Sequence, residues 1–319
     1  MIDSIKIKLI SNTSGNLGNL IYSRTSNVGE NRTYGNMVVN CSLDNLKISC
    51  VELEGKHLIT ITGSLHKFFK GDNLSEFTFD ELKQALQLLA DKTGLNILSG
   101  IIKRIDFGAN IPVKNPVTMY NLLLTYAPRY VKDTFSNYQT VTFRKKHIAL
   151  TFYDKIKQID ASTKKKHYRS ISLNKNVIRY ELKLLKRLAK TLNHAEKDIY
   201  VYDLINGDVY KKLTRVWYKE YRSIIKLSEH IYPDLFNNFH CYLESQGVTK
   251  LGGISEVIEI LDKWCKYKDN SRQAKYNIKS KVIAALEAGT KTHNYVIELN
   301  KKIRKIKKET LSSIRLFKE

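Results

Sequence analysis

Three short stretches of this chain alternate apolar and polar side chains with a period of two, and that pattern limits the fold more than any other feature. Successive side chains of a β-strand point to opposite faces, so residues i, i+2 and i+4 share a side. In 103–111, Ile105, Phe107, Ala109 and Ile111 form an apolar side, opposed by Arg104, Asp106, Gly108 and Asn110. In 147–155, Ile148, Leu150 and Phe152 oppose His147, Thr151, Tyr153 and Lys155. In 177–183, Ile178, Tyr180 and Leu182 oppose Arg179, Glu181 and Lys183. A fourth stretch, 58–64, sets Thr60, Thr62 and Ser64 on one side, with His66 in phase if the strand continues. Strands of this kind need a cover over one face and leave the other open.

The remaining patterns complete an α+β reading. Residues 5–10, 37–53 and 56–64 read as strands, and 30–36 as a turn. Leu82, Leu86 and Leu89 recur at helical spacing over Phe79 to Asp91, with Gly94 as the stop signal. A short helix is expected over 117–126. Residues 138–155 read as two strands around a basic tip, Arg144-Lys145-Lys146. After about residue 185 leucine and lysine dominate, and helices are expected at 209–231, 254–267, 271–288 and 293–317. The expected architecture is an antiparallel-rich sheet with helices on one face over residues 1–190. A helical, basic region that binds DNA or oligomerises follows over 191–319.

Charge points to the partner. Net charge is +23, from 54 basic and 31 acidic residues, and residues 1–100 hold ten of each. The whole excess therefore lies after residue 100. Such an excess attracts a polyanion over about a Debye length, about 8 Å at physiological salt. Nucleic acid is the expected partner, with affinity that falls as salt rises. No apolar run is long enough to span a membrane, and no amphipathic helix with aromatic anchors suggests a membrane surface. The first residues lack a secretory signal. The four cysteines form no CxxC pair, so free thiols in a reducing bacterial cytoplasm are expected. No P-loop is present, and no nucleotide cofactor is expected.

If the alternating stretches share one sheet, Asp106, Glu181, Tyr153 and His66 converge on its polar face. Two carboxylates suit Mg²⁺ or Mn²⁺, which prefer oxygen ligands, with His66 as a further ligand. Arg104, Arg179 and Lys155 suit phosphate. Lys145 at the hairpin tip, Lys164 and Lys165 in the polar segment 161–170, and Arg304 in the Lys301–Lys308 cluster are further DNA-contact candidates. A tyrosine hydroxyl beside a metal can act as a nucleophile once its proton, with a pKa of about 10, is removed.

The same segments resemble the filamentous-phage gene II and X family of phage and plasmid replication initiators, related to plasmid initiators of the Rep_trans type. The carrying residues are the opening MIDSIKIKL and the glycine-bounded segment Gly63 to Asn73. With them come the R-I-D strand Arg104-Ile105-Asp106, the Y-x-K segment Tyr153-Asp154-Lys155 and the R-[FY]-E strand Arg179-Tyr180-Glu181. They cover roughly residues 1–190. The chain lacks the His-hydrophobic-His strand of many rolling-circle initiators, as the Rep_trans-like branch does. The resemblance implies a rolling-circle initiator that nicks one strand at an origin through a tyrosine-5′-phosphate link. It frees a 3′-OH for a host polymerase, works beside a host helicase and later rejoins the displaced strand. It implies Tyr153 as nucleophile with Lys155 beside it, Asp106 and Glu181 as metal ligands, and DNA, single- and double-stranded, as partner, with a homodimer possible in the assembly. Two other readings are a non-catalytic DNA-binding replication regulator and a related strand transferase of transposition or conjugation.

Overall fold

The alternating stretches become the middle of one large sheet. A computed structural model of the protein describes residues 1–11, 26–33, 36–53, 56–127, 129–161, 176–226, 230–231, 247–248, 251, 254–267, 272–288, 290–291 and 294–314. The strands of the sheet are β1 (Ile2–Ser11), β2 (Ser26–Thr33), β3 (Asn36–Leu43), β4 (Leu46–Leu53), β5 (Lys56–Ser64), β6 (Ile101–Pro112), β8 (Val131–Phe135), β9 (Thr140–Lys145), β10 (Ile148–Asp154) and β11 (Val177–Leu184). The short β7 (Leu124–Tyr126) lies outside it, paired with β12 (Ile225–Lys226). The ten strands run in the order β2-β3-β4-β5-β1-β6-β11-β10-β9-β8. Every neighbouring pair is antiparallel.

Register places the expected faces together. On β11, Arg179 lies opposite Tyr153 of β10 and Asn110 of β6. Glu181 lies opposite Thr151 and Gly108, and Lys183 opposite Asp106. Gly108 is required by closeness: a Cβ there would come 2.5 Å from the Tyr180 carbonyl oxygen and 2.8 Å from Glu181 Cγ. The helices are α1 (Leu65–Lys70), α2 (Phe79–Thr93), α3 (Val117–Leu122), α4 (Lys155–Asp160), α5 (Leu188–Thr191), α6 (Val201–Ile205), α7 (Asp208–Ser223), α8 (Ile254–Tyr267), α9 (Arg272–Ala288) and α10 (Asn294–Ser313).

The apolar face is covered by α2 and by helices from beyond residue 190. Tyr180 stacks on Phe152 at 4.3 Å between ring centres and on Trp217 of α7 at 4.9 Å, while Tyr210 meets Phe107 edge-on at 5.4 Å. Aromatic pairs in these geometries add to the large apolar area they bury. The Tyr180 hydroxyl donates to the Trp217 carbonyl at 2.9 Å, so this buried phenol is satisfied. Leu299 and Ile303 of α10, and Leu82, Leu86 and Leu89 of α2, join the same core. The change of sequence character near residue 185 thus marks a change of layer within one core. Helix α2 starts on a capping box, Thr78 with Glu81, and stops at Gly94 with φ of 69°.

Several boundaries differ from the sequence reading. The expected turn at 30–36 is largely strand, since β2 continues to Thr33. The expected single strand 37–53 is a hairpin, turning at Asp44, whose φ is 53°; Asp tolerates this left-handed backbone. The helix expected over 117–126 stops at Leu122 and gives way to β7. The helix expected over 209–231 ends at Ser223, where Ile224 turns extended and the Lys226 ammonium donates to the carbonyls of Tyr221 and Ile224 at 3.1 and 2.7 Å. The short strands β12, β13 (His230–Ile231) and β14 (Thr290–Lys291) interrupt the otherwise helical stretch.

Strand β1 carries a bulge that matters for the site. Ile2 pairs with Phe107 and Ile5 with Ile105, so three steps along β1 match two along β6. The extra residue reverses the strand's phase. Ile2 stays in the core, and Asp3 turns to the polar face.

Candidate functional site: the polar face of the central strands

Arg179 organises the face. Its side chain is only 4% exposed. Its guanidinium donates to Asp3 Oδ2 at 3.0 Å, to Glu181 Oε1 at 3.1 Å and to Asn110 Oδ1 at 3.1 Å. A buried guanidinium is tolerated when its donors meet carboxylates in a fixed fork. Asp3 also accepts from the Ser64 hydroxyl. Burial pushes the Asp3 carboxyl upward, but Arg179 and Ser64 outweigh it and hold the group below its usual range. Asn110 in turn donates to the carbonyls of Asn73 and Leu74 at 2.9 and 3.0 Å, tying the segment after α1 to the sheet. The centre of the polar face is therefore roofed, and only its margins are open.

Tyr153 stands at one margin, half-buried. Its hydroxyl donates to Glu181 Oε1 at 2.9 Å. Burial and then the Glu181 charge raise the phenol above its ordinary pKa, so it is held protonated with an acceptor in contact. Lys155, the first residue of α4, is 1% exposed, lies 5.8 Å from the centre of the Tyr153 ring and donates to Gln158 Oε1 at 2.9 Å. Its pKa is lowered to about 8, by burial first and by Arg179 second. Asp154 anchors that helix by accepting from the Lys157 amide at 3.0 Å, so the strand-to-helix turn fixes tyrosine and lysine relative to each other.

Asp106 lies on the same face, paired with Arg104 through bonds of 2.9 and 2.7 Å. Its carboxyl is raised, since burial outweighs Arg104. Lys183 binds Glu181 Oε2 at 3.2 Å and also acts on Asp106 through its charge. An ammonium thus already serves both carboxylates. The two carboxylates supply oxygen donors of the kind Mg²⁺ prefers, and in this structure both are engaged by cations, Asp106 by Arg104 and Glu181 by Arg179 and Lys183. Among the described residues, no group of three or more His, Cys, Asp and Glu gathers as a metal cluster.

The other expected site residues are placed differently from the strand reading, although the charges of Asp3 and Arg179 still reach His66. His66 does not continue β5; the strand ends at Ser64 and His66 sits in α1. Its ring stacks on Phe77 at 4.9 Å, its Nε2 meets the Ser75 hydroxyl at 3.3 Å, and burial lowers its pKa to about 4. The bonds of Arg179 all point inward. Lys145 lies over the Tyr130 ring at 4.3 Å and faces Glu220 at 3.6 Å. Arg304 is exposed on α10, with Leu299 and Ile303 buried behind it. Lys164 and Lys165 lie outside the described residues. Asp3 was not a sequence candidate: by parity it shares a side with Ile5 and Ile7, and only the bulge moves it. Asn110 was legible by phase, but not as the Arg179 partner.

Among the described residues, no helix is long and apolar enough to cross a membrane. A family model for the N-terminal part of the phage replication-associated gene II protein matches residues 1–203. No curated protein matches the chain.

Proposed function

The chain belongs to the phage replication-associated gene II protein family, and from that premise we propose that it initiates rolling-circle replication by cutting one DNA strand with Tyr153. The observation that carries this reading is the Tyr153 hydroxyl donating to Glu181 on the margin of a face rich in cations. A nucleophile in contact with its proton acceptor is the arrangement that covalent catalysis needs.

Tyr153 Oη attacks the scissile phosphorus, and its proton passes to Glu181 Oε1. The bond from phosphorus to the 3′ oxygen breaks, and the tyrosine becomes joined to the 5′-phosphate. Lys155, titrating near pH 8, supplies the proton that the departing 3′ oxygen takes up. Arg179 keeps Glu181 in place throughout. Asp106 and Glu181 are the residues that would hold a divalent ion, which when bound would supply positive charge to the phosphate. Rejoining reverses these steps with a 3′-OH as the attacking group. The phosphodiester energy is kept in the tyrosine link, so no nucleotide cofactor enters.

The test uses supercoiled DNA carrying the cognate origin, with Mg²⁺ or Mn²⁺. The expected result is a nicked circle and a covalent protein–DNA adduct, both lost in Tyr153→Phe. An adduct that persists in Tyr153→Phe moves the nucleophile elsewhere. Origin binding with no cleavage under any metal favours the regulator instead.

A further inference from the structure

A second feature lies outside the tyrosine centre. A cleft of about 540 Å³ opens between the start of β6, the strand β1 beside it, and the segments 185–189 and 197–199. Five cations line it with no ion pair among the described residues: Lys6, Lys8, Lys186, Arg187 and Lys197. Lys103, also in the lining, is neutralised by Asp198 at 2.8 Å. The inner end is Arg104, the residue that holds Asp106. Lys6 lies opposite Arg104 across the β1–β6 pair, so the row of cations runs along the sheet toward the carboxylates.

The charge is concentrated at some cost. Like charges at this density repel, and the nearby His147 imidazole is lowered by burial and then by Arg187, Lys146 and Lys186. Arg187 also holds a left-handed backbone, φ 55°, which L side chains other than Asn and Asp rarely adopt. A glycine would sit there without strain. The arginine is therefore not explained by its backbone. The rest of the lining is aliphatic, with Ile102, Leu185 and Leu188 and no aromatic ring. Bases have nothing to stack on, whereas phosphates have five unneutralised partners.

We propose that this cleft is a track for the sugar-phosphate backbone of single-stranded DNA, leading a strand past Arg104 to the tyrosine centre without reading its sequence. The proposal rests on the reading of DNA as substrate. It assigns to that substrate a place that the tyrosine, the carboxylates and α10 do not supply.

Fluorescence anisotropy with a labelled single-stranded oligonucleotide lacking the origin, titrated at several salt concentrations, tests it on the full chain. The variant Lys186→Gln/Arg187→Gln/Lys197→Gln is compared with Lys56→Gln/Lys92→Gln/Lys263→Gln, which removes the same charge from exposed positions elsewhere. Removing one cation–phosphate pairing lowers the slope of log affinity against log salt by about 0.7. The cleft variant is expected to drop by about two units of slope and at least tenfold in affinity at low salt, with thymine and adenine homopolymers affected alike. The comparison variant is expected to keep the wild-type slope. Arg187→Gly provides the check on folding: its melting temperature should not fall, while its binding weakens. Equal decreases in both triple variants, or none in the cleft variant, overturn the track. A wild-type chain that binds no DNA at any salt removes the substrate reading itself, and is a distinct result.

Discussion

The two faces of the central strands are made from alternate residues of the same three segments, yet they follow different physics. On the apolar face Phe107, Phe152 and Tyr180 meet Trp217 and Tyr210, and burial of area stabilises the contact without regard to direction. On the polar face Arg179, Asp3, Glu181 and Asn110 are also buried or nearly so, but each contact depends on direction and on charge balance. One face tolerates error in kind and not in volume. On the other, removing the guanidinium leaves its carboxylates buried without their counter-charge.

Removing the central member of each face should make that difference measurable. Arg179→Met leaves Asp3 and Glu181 buried without their guanidinium, and an unfolding free energy lower by about 3–5 kcal/mol is expected. Trp217→Ala opens a cavity and should cost about 3–5 kcal/mol as well. Denaturant titration across pH separates them. In the wild type Asp3 is held below its usual range, so its contribution is present above its unfolded pKa and is lost as pH falls through the native value. In Arg179→Met the carboxyl is stranded, its native pKa rises above the unfolded one, and stability recovers as the pH falls. The Trp217→Ala deficit should follow no such trend. Parallel pH profiles for the two variants would erase the distinction between the faces.

A smaller effect of opposite sign tests whether the polar face trades stability for chemistry. Lys155 is buried, with its pKa lowered to about 8. At pH 7 it is charged in both states, and the native state bears the cost of burying that charge. Above pH 8 the native state releases the proton while the unfolded chain keeps it up to about 10.4, so wild-type stability rises over that window. Lys155→Met should therefore be more stable than wild type at pH 7, by about 1–3 kcal/mol. The advantage should shrink between pH 8 and 10, and nicking should be lost. A Lys155→Met protein less stable at pH 7 would show the ammonium to be a structural partner. Smallest in stability is Tyr153→Phe, which removes one hydrogen bond to Glu181 and should change stability by about 1 kcal/mol or less while abolishing the adduct.

Much of this arrangement was legible because strand phase is local. Arg104, Asp106, Tyr153, Arg179 and Glu181 fall on one face by parity alone, and antiparallel pairing keeps them there. What parity could not give was depth. Arg179 and Arg104 look alike in sequence, yet one is enclosed by Asp3, Glu181 and Asn110 while the other is 42% exposed and lines the cationic cleft. That difference arises from the roof made by α1 and the segment after it, a contact distant in sequence. His66 was misplaced for a related reason: the strand stops at Ser64, which caps α1 by accepting from the Lys67 amide. The cleft was illegible altogether, since Lys6, Lys8, Lys186, Arg187 and Lys197 come from three separate parts of the chain.

The bulge in β1 has a consequence for how such chains should be compared. On either side of it the strand is written in two frames, and one surplus residue lets Ile2 and Ile5 face inward while the carboxylate between them faces the arginine. A length change of one position at Ser4 is then a different kind of event from a substitution. Deleting Ser4 leaves Ile2-Asp3-Ile5, which satisfies both faces without a bulge, and inserting one residue beside Ser4 does the same by restoring an even number of steps between Ile2 and Ile5. An alignment that scores hydrophobic identity column by column would penalise the harmless deletion. It would also accept a regular strand that buries the aspartate among isoleucines.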